Sequence, residues 1–158
     1  MTKKITIGNF TSDERKEAVY RRLVNPQLLD ELKDRILEQL VVRKKYRDGL
    51  YTARQLAAAL QTNSRYISAV IRVHFHTTYT SLVNKYRVEE ALTLLTDSRY
   101  QHYGVEEIGD LVGFAHRQSF HSAFVRFVGT TPKAYRMSYE QNKDQIIPSK
   151  PQTKKKKQ

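Results

Sequence analysis

The chain repeats itself. Leu56 and Leu60 stand 52 residues before Ile108 and Val112, and Ile67, Ile71 and Thr78 stand 53 residues before Phe120, Phe124 and Thr131. Each copy has the pattern of two short helices joined by a tight polar turn. In the first, Thr52-Ala53-Arg54-Gln55 forms a capping-box sequence opening a helix that buries Leu56, Ala57 and Leu60. The polar break Gln61-Thr62-Asn63-Ser64 leads into residues 65–74, where Ile67, Val70 and Ile71 form one stripe. In the second, Glu106 and Glu107 follow Gly104 in a first helical turn, where carboxylates suit the positive end of the helix dipole, and Ile108, Leu111 and Val112 face inward. A helix from about residue 117 to 128 then buries Phe120, Ala123, Phe124 and Phe127, Gly129 stops it, and Pro132 opens a last short helix ending near Met137. The step from 52 to 53 makes the second turn one residue longer.

Between the copies, Leu82, Val83, Tyr86, Ala91, Leu92, Leu94 and Leu95 recur along residues 80–96 as one helix. Ahead of them, Pro26 opens a helix whose Leu28, Leu29, Leu32, Ile36, Leu37, Leu40 and Val41 run to about Lys45, before Asp48-Gly49. The expectation is an all-α chain of about seven helices: two helix-turn-helix units in tandem, bridged by a long linker helix. Residues 1–25 read as a flexible arm with a short helix near residues 13–23. Residues 26–96 form the first unit with the linker, 97–137 the second unit, and 138–158 a basic disordered tail.

Charge narrows the function classes. A formal net charge of +12 favours a polyanionic partner, although residues 150–158 alone supply +5 of it. There is no cysteine, so neither disulfides nor thiolate metal sites are available. No apolar run reaches the roughly 18 residues of a membrane span, and Lys3-Lys4 precede no apolar stretch of the secretory type. A cytoplasmic protein with no membrane contact is expected.

The stretch GFAHRQSFHSAFVRFVGTTPKAYR, residues 113–136, concentrates polar groups on one face. His116 and His121 are five apart, which misses the four-residue spacing of a helical metal pair. Glu89-Glu90 and Glu106-Glu107 are neighbours that diverge around a helix axis rather than face one another. No glycine-rich phosphate cradle appears, and Tyr86 and Tyr135 read as packing residues. No enzyme, metal or cofactor is expected.

The stretch EEIGDLVGFAHRQSFHSAFVRFVGTTPKAYR resembles the DNA-binding domain of the AraC/XylS family of bacterial transcription regulators, through Ile108-Gly109, Gly113-Phe114, the aromatic-centred helix, and Gly129-Thr130-Thr131-Pro132 ending in Tyr135-Arg136. LAAALQTNSRYISAVI and VNKYRVEEALTLL are similar to the family's first unit and linker helix, so the resemblance covers about residues 36–136. Gly109 stands where the family usually has alanine, His76 where it has glycine, Ile71 where it has an aromatic residue, Val125 where it often has lysine, and His116 at the serine cap position.

The resemblance implies a stand-alone reader of double-stranded DNA whose reading helices, residues 63–74 and 116–128, enter successive major grooves about 34 Å apart. A single chain then binds an asymmetric site as a monomer. Carried over onto this sequence, Arg65, Ser68 and Ala69 face bases in the first unit, with Ser64 and Arg72 on phosphate. Arg117, Gln118, His121 and Ser122 face bases in the second, with Arg126 on phosphate. Arginine suits guanine, glutamine suits adenine, and an alanine methyl suits the thymine methyl. The implied role is a transcription regulator, more often an activator, with RNA polymerase as a further partner and no ligand-sensing domain in the roughly 45 residues ahead of the first unit. The alternatives are a non-specific or architectural nucleic-acid binder driven by the basic tail, and a protein-interaction module of another regulator.

Overall fold

The computed structural model describes residues 11, 12, 14, 15 and 25–146, and every regular element among them is helical. Most of the arm helix expected near residues 13–23 and the tail beyond residue 146 lie outside the described residues. Between residues 25 and 146 the chain forms seven α-helices. The first, α1, spans Pro26–Leu37, with Asn25 Oδ1 accepting a hydrogen bond from the Gln27 backbone N–H at 2.9 Å and proline at the position that needs no N–H donor. It stops earlier than its apolar pattern suggests. A π-turn over Glu38–Val42 is followed by Lys44 in a left-handed conformation and a 3-10 turn at Lys45–Arg47. The bend swings Tyr46 into the core, where its ring stacks on Tyr86 at 6.1 Å.

Helix α2, Ala53–Ala59, begins at the expected capping box: the Thr52 N–H donates to Gln55 Oε1 at 2.7 Å, and the Gln55 N–H donates to Thr52 Oγ1 at 3.3 Å. Helix α3, Ser64–Phe75, is capped by Asn63, whose side chain accepts from the Tyr66 N–H at 3.1 Å. The linker, α4, spans Tyr79–Thr96 behind a Thr78 cap. The second unit comprises α5, Val105–Leu111, α6, Arg117–Val128, and α7, Pro132–Ile146. Helix α7 continues nine residues past the expected end at Met137. Nothing from Ser138 to Gln145 breaks a helix, and the described side chains there are exposed, so helix-forming Glu140, Gln141 and Lys143 extend it without a core.

Two cores hold these helices, and α4 serves both. Leu82 and Val83 pack with Leu29, Leu32, Ile36, Leu56, Ile67 and Ile71. Val88, Ala91 and Leu95 pack with Ile108, Val112, Phe120 and Phe124. Val88 stands five positions after Val83, which turns the buried stripe by about 140° around the axis. The linker therefore has no single apolar face, and each half keys into a different unit. Burial of each large apolar side chain contributes about 1.5–3 kcal/mol.

Several residues expected inside are not. Leu111 is 42% and Phe127 39% exposed, and Leu28 and Val41 are also partly open. In α6 the place next to Phe124 is taken by Tyr135 from α7, edge-on at 5.9 Å, so Phe127 lies at the rim beneath the Arg126 guanidinium. Gly109 is buried with the Phe120 ring against it, and a Cβ there would come within 2.6 Å of Phe120 Cδ1.

Candidate nucleic-acid interface

Helices α3 and α6 are the second helices of their units, and each keeps an apolar side on its own core and a polar side outward. On α3, Ser64, Arg65 and Ser68 are exposed and Arg72 is half-buried. Ala69 is a correction to the expected reading surface: it is 0% exposed and belongs to the first core. Helix α1 packs along α3, and a methyl group is too short to emerge past that contact. His74 of α3 approaches Asp30 of α1 at 3.3 Å, which marks the same seam.

On α6, Arg117, Gln118, His121, Ser122 and Arg126 are all exposed. His116 starts this helix without a side-chain cap bond, unlike Asn63 at the start of α3. Arg117 is already engaged: its Nη1 lies 3.0 Å from Glu106 Oε1, with side chains 79% and 59% exposed. Such an open ion pair is worth about 0–1 kcal/mol, so a stronger anion can take the guanidinium from it. The spacing of the residues gave no sign of this pairing. Two of the histidines considered for a metal, His116 and His121, lie at the start and on the open face of α6, and no group of three metal-ligating side chains occurs among the described residues.

The groups that position the two helices were also missed by the sequence reading. Glu90 on α4, with a side chain 10% exposed, accepts hydrogen bonds from Lys44 Nζ at 3.0 Å and from Arg47 through Nε at 3.0 Å and through Nη2. Burial alone would raise its carboxyl pKa, but the bonds from Arg47, Lys44 and Tyr46 outweigh it and hold the group at about 2. Burial first, and then the Glu90 carboxylate, push the Tyr46 hydroxyl up to about 12. Arg87, one turn earlier, donates from Nε to the Tyr46 carbonyl at 2.7 Å and from Nη2 to the Asp48 carbonyl at 3.2 Å. For Arg87 the one mark in the sequence was a further Tyr-Arg at 135–136, which lies 49 residues on and so outside the repeat. For Glu90 there was none, because Lys44 and Arg47 are 46 and 43 residues away.

A protein-family model described as a helix-turn-helix domain, of the AraC type, matches residues 56–138, more than half of the chain. The chain belongs to this family. Among solved structures, the AraC-type fold recurs in the C-terminal domain of the two-component response regulator yesN from Fusobacterium nucleatum, which is 28% identical with a TM-score of 0.55, over 63% of this chain and 94% of that one. The C-terminal domain of AraT, a response regulator from Geobacillus stearothermophilus, shares the fold with a TM-score of 0.58 at 24% identity, over 72% of this chain and 86% of that one. Among curated proteins, the transcriptional regulatory protein HptR of Staphylococcus aureus is 29% identical over 112 residues, 70% of this chain and 42% of its own length. An uncharacterised response regulatory protein of Staphylococcus epidermidis is 26% identical over 120 residues, 75% of this chain and 46% of its own length. The chain spans less than half the length of these curated relatives. As an AraC-type domain it also has no helix, among the described residues, long and apolar enough to cross a membrane.

Proposed function

We propose that this AraC-type protein is a transcription regulator that reads double-stranded DNA sequence-specifically, with α3 and α6 in successive major grooves. The observation that carries the reading is the pair of outward polar helix faces on two units joined through one helix. Arg65 and Ser68 read bases from the first unit, and Arg117, Gln118, His121 and Ser122 read them from the second. Ser64, Arg72 and Arg126 contact phosphate. The chain acts as a monomer on an asymmetric site, in the cytoplasm, activating through RNA polymerase.

Selection from a random duplex library tests this. The expected result is a bipartite motif of about 15–20 base pairs; equal affinity for every duplex defeats it. Substituting Gln118 should relax specificity at particular base pairs by about 1–3 kcal/mol, while substituting Arg126 should weaken all duplexes alike and lower the salt slope. The five lysines of residues 150–158 favour one competing account, non-specific attraction to phosphate. Deleting those residues separates the two: binding that vanishes with the tail belongs to the tail.

A further inference from the structure

Arg87 sits midway along α4, between the residues that enter the first core and those that enter the second. Its guanidinium touches both units. Nε and Nη2 bond the carbonyls of Tyr46 and Asp48, in the loop ahead of α2, at 2.7 and 3.2 Å. Nη1 bonds Asn84 Oδ1 at 3.2 Å, and the guanidinium carbon lies 5.5 Å from the centroid of Phe114, a ring in the second core. Beside it the backbones meet directly. Gly113, at the elbow between α5 and α6, has no room for a side chain: a Cβ would fall on the Tyr46 carbonyl oxygen and 2.7 Å from the Arg47 carbonyl carbon. On the other side of the seam, a Cβ on Gly49 would lie 2.9 Å from the Gly113 carbonyl oxygen. The elbow of the second reader thus rests on a loop of the first, and Arg87 joins loop, linker and elbow.

The arginine of the later Tyr-Arg pair, 49 residues on, does not do this. Arg136 donates from Nη1 to the Tyr103 carbonyl at 2.7 Å within its own unit, and its Nε and Nη2 have no partner among the described residues. Of these two arginines, one crosses between units and the other stays inside one. That difference has a geometric consequence. Two readers on a single helix can still rotate about its axis unless something off the axis holds them, and Arg87 with the Gly49–Gly113 approach is the off-axis contact.

We propose that Arg87 is a positioning residue that sets which spacing between the two half-sites the protein accepts. The proposal rests on the DNA reading above. One inserted base pair moves the far half-site by about 3.4 Å and turns it by about 35°. A held pair of readers cannot follow both changes, so it loses the gain from simultaneous engagement; a loosened pair can follow.

The test uses the selected motif of the full chain and probes with the spacer lengthened or shortened by one base pair. The wild type should lose ~10-fold or more in affinity on either altered probe. Arg87→Met, which keeps the length but not the donors, should bind the native spacing more weakly and lose only ~2-fold on changing it. Affinity for a single half-site should be the same in both proteins, a readout that loss of fold would not leave unmoved. Arg87→Lys should restore part of the discrimination. Circular dichroism and melting establish that the variants fold, and Arg87→Gln carries the same expectation if Arg87→Met does not. A steep wild-type-like spacing penalty in Arg87→Met or Arg87→Gln overturns the role of Arg87 while leaving the DNA reading intact. A wild-type protein with no bipartite preference overturns both.

Discussion

Gln61 and His76 in the first unit carry left-handed φ values of +54° and +52° at the repeat positions where Gly113 and Gly129 carry +106° and +85° in the second. The turn and the end of the reading helix demand this backbone in both copies, but only the second meets the demand with glycine. Gln61 and His76 are exposed, so the first unit's cost is the backbone conformation itself, about 1 kcal/mol at each site. A second exchange lies in the cores. Ala57 and Ile67 of the first unit correspond to Gly109 and Phe120 of the second, and there the larger ring fills the space that the missing methyl leaves. Two sequences can therefore hold one topology by moving volume and strain between paired positions, and the pairs are where each unit is most easily broken.

The largest effect should come from Gly113. Its alanine variant meets both a disallowed backbone region and the Tyr46–Arg47 main chain, which cannot yield as a flexible side chain would. We expect Gly113→Ala to lose about 3 kcal/mol or more, read as a fall in denaturation midpoint. Gly129 has the same backbone sign with nothing within 4 Å of the place a methyl would take, so Gly129→Ala should lose only about 1 kcal/mol. Equal losses at the two glycines would show that the seam between the units is looser than the close approach implies.

The core exchange comes next. Gly109→Ala drives a methyl into the Phe120 ring and should lose about 1–3 kcal/mol. Adding Phe120→Ile recreates the first unit's pair. Because the two positions share one space, the double variant should lose less than the sum of the single losses. Additive losses in a double-mutant cycle would mean that the cores adjust independently of this pair.

These pairs also mark what could be read from residues alone. The periodicity of Leu, Ile and Phe places α2 to α6 within a residue or two, because burial of one face is a local property, but it overruns the end of α1 and stops short of the end of α7. Thr52, Asn63 and Gly129 mark their ends for the same reason. The same reading gives the exposed set Arg65, Ser68, Gln118 and His121 correctly as surface, and their role as base readers rests on the proposal. It fails at Ala69, where exposure depends on α1 packing along α3, a contact between segments whose stripes do not reveal which face meets which. It also fails at Arg87, Glu90 and the Gly49–Gly113 approach. Each of these depends on residues some 40 or more positions away, or on a main-chain distance that no residue type announces.

Glu90 supplies a contrast that pH can expose. In the cluster of Glu90, Lys44 and Arg47 the carboxylate is nearly buried beneath two half-exposed cations, whereas in Arg117–Glu106 beside the second reading helix both side chains are open to water. The folded Glu90 carboxyl titrates at about 2 against an ordinary 4.5, so between those values the unfolded chain binds a proton that the folded chain does not. Stability from the cluster is therefore complete above the unfolded value and lost as pH falls through that window. Urea unfolding of the wild type at stepped pH should show this slope, and Glu90→Gln should remove part of it. Identical slopes in the two proteins would mean that the Glu90 cluster does not contribute to the pH dependence.

The smallest effect runs in the stabilising direction. His76 ends α3 in the left-handed region with its side chain in solvent, and its N–H closes the helix on the Arg72 carbonyl at 3.1 Å. Glycine keeps that bond and removes the conflict between Cβ and the backbone, but it also frees the unfolded chain, which offsets part of the gain. His76→Gly should therefore gain about 0.5 kcal/mol, less than the loss expected from Gly129→Ala at the matching position. Since the substitution leaves Arg65 and Ser68 untouched, affinity for DNA should not change. A loss of stability instead would mean that the imidazole makes a contact worth more than the strain it sits in, and that the first unit's departures from glycine are compensated locally rather than tolerated.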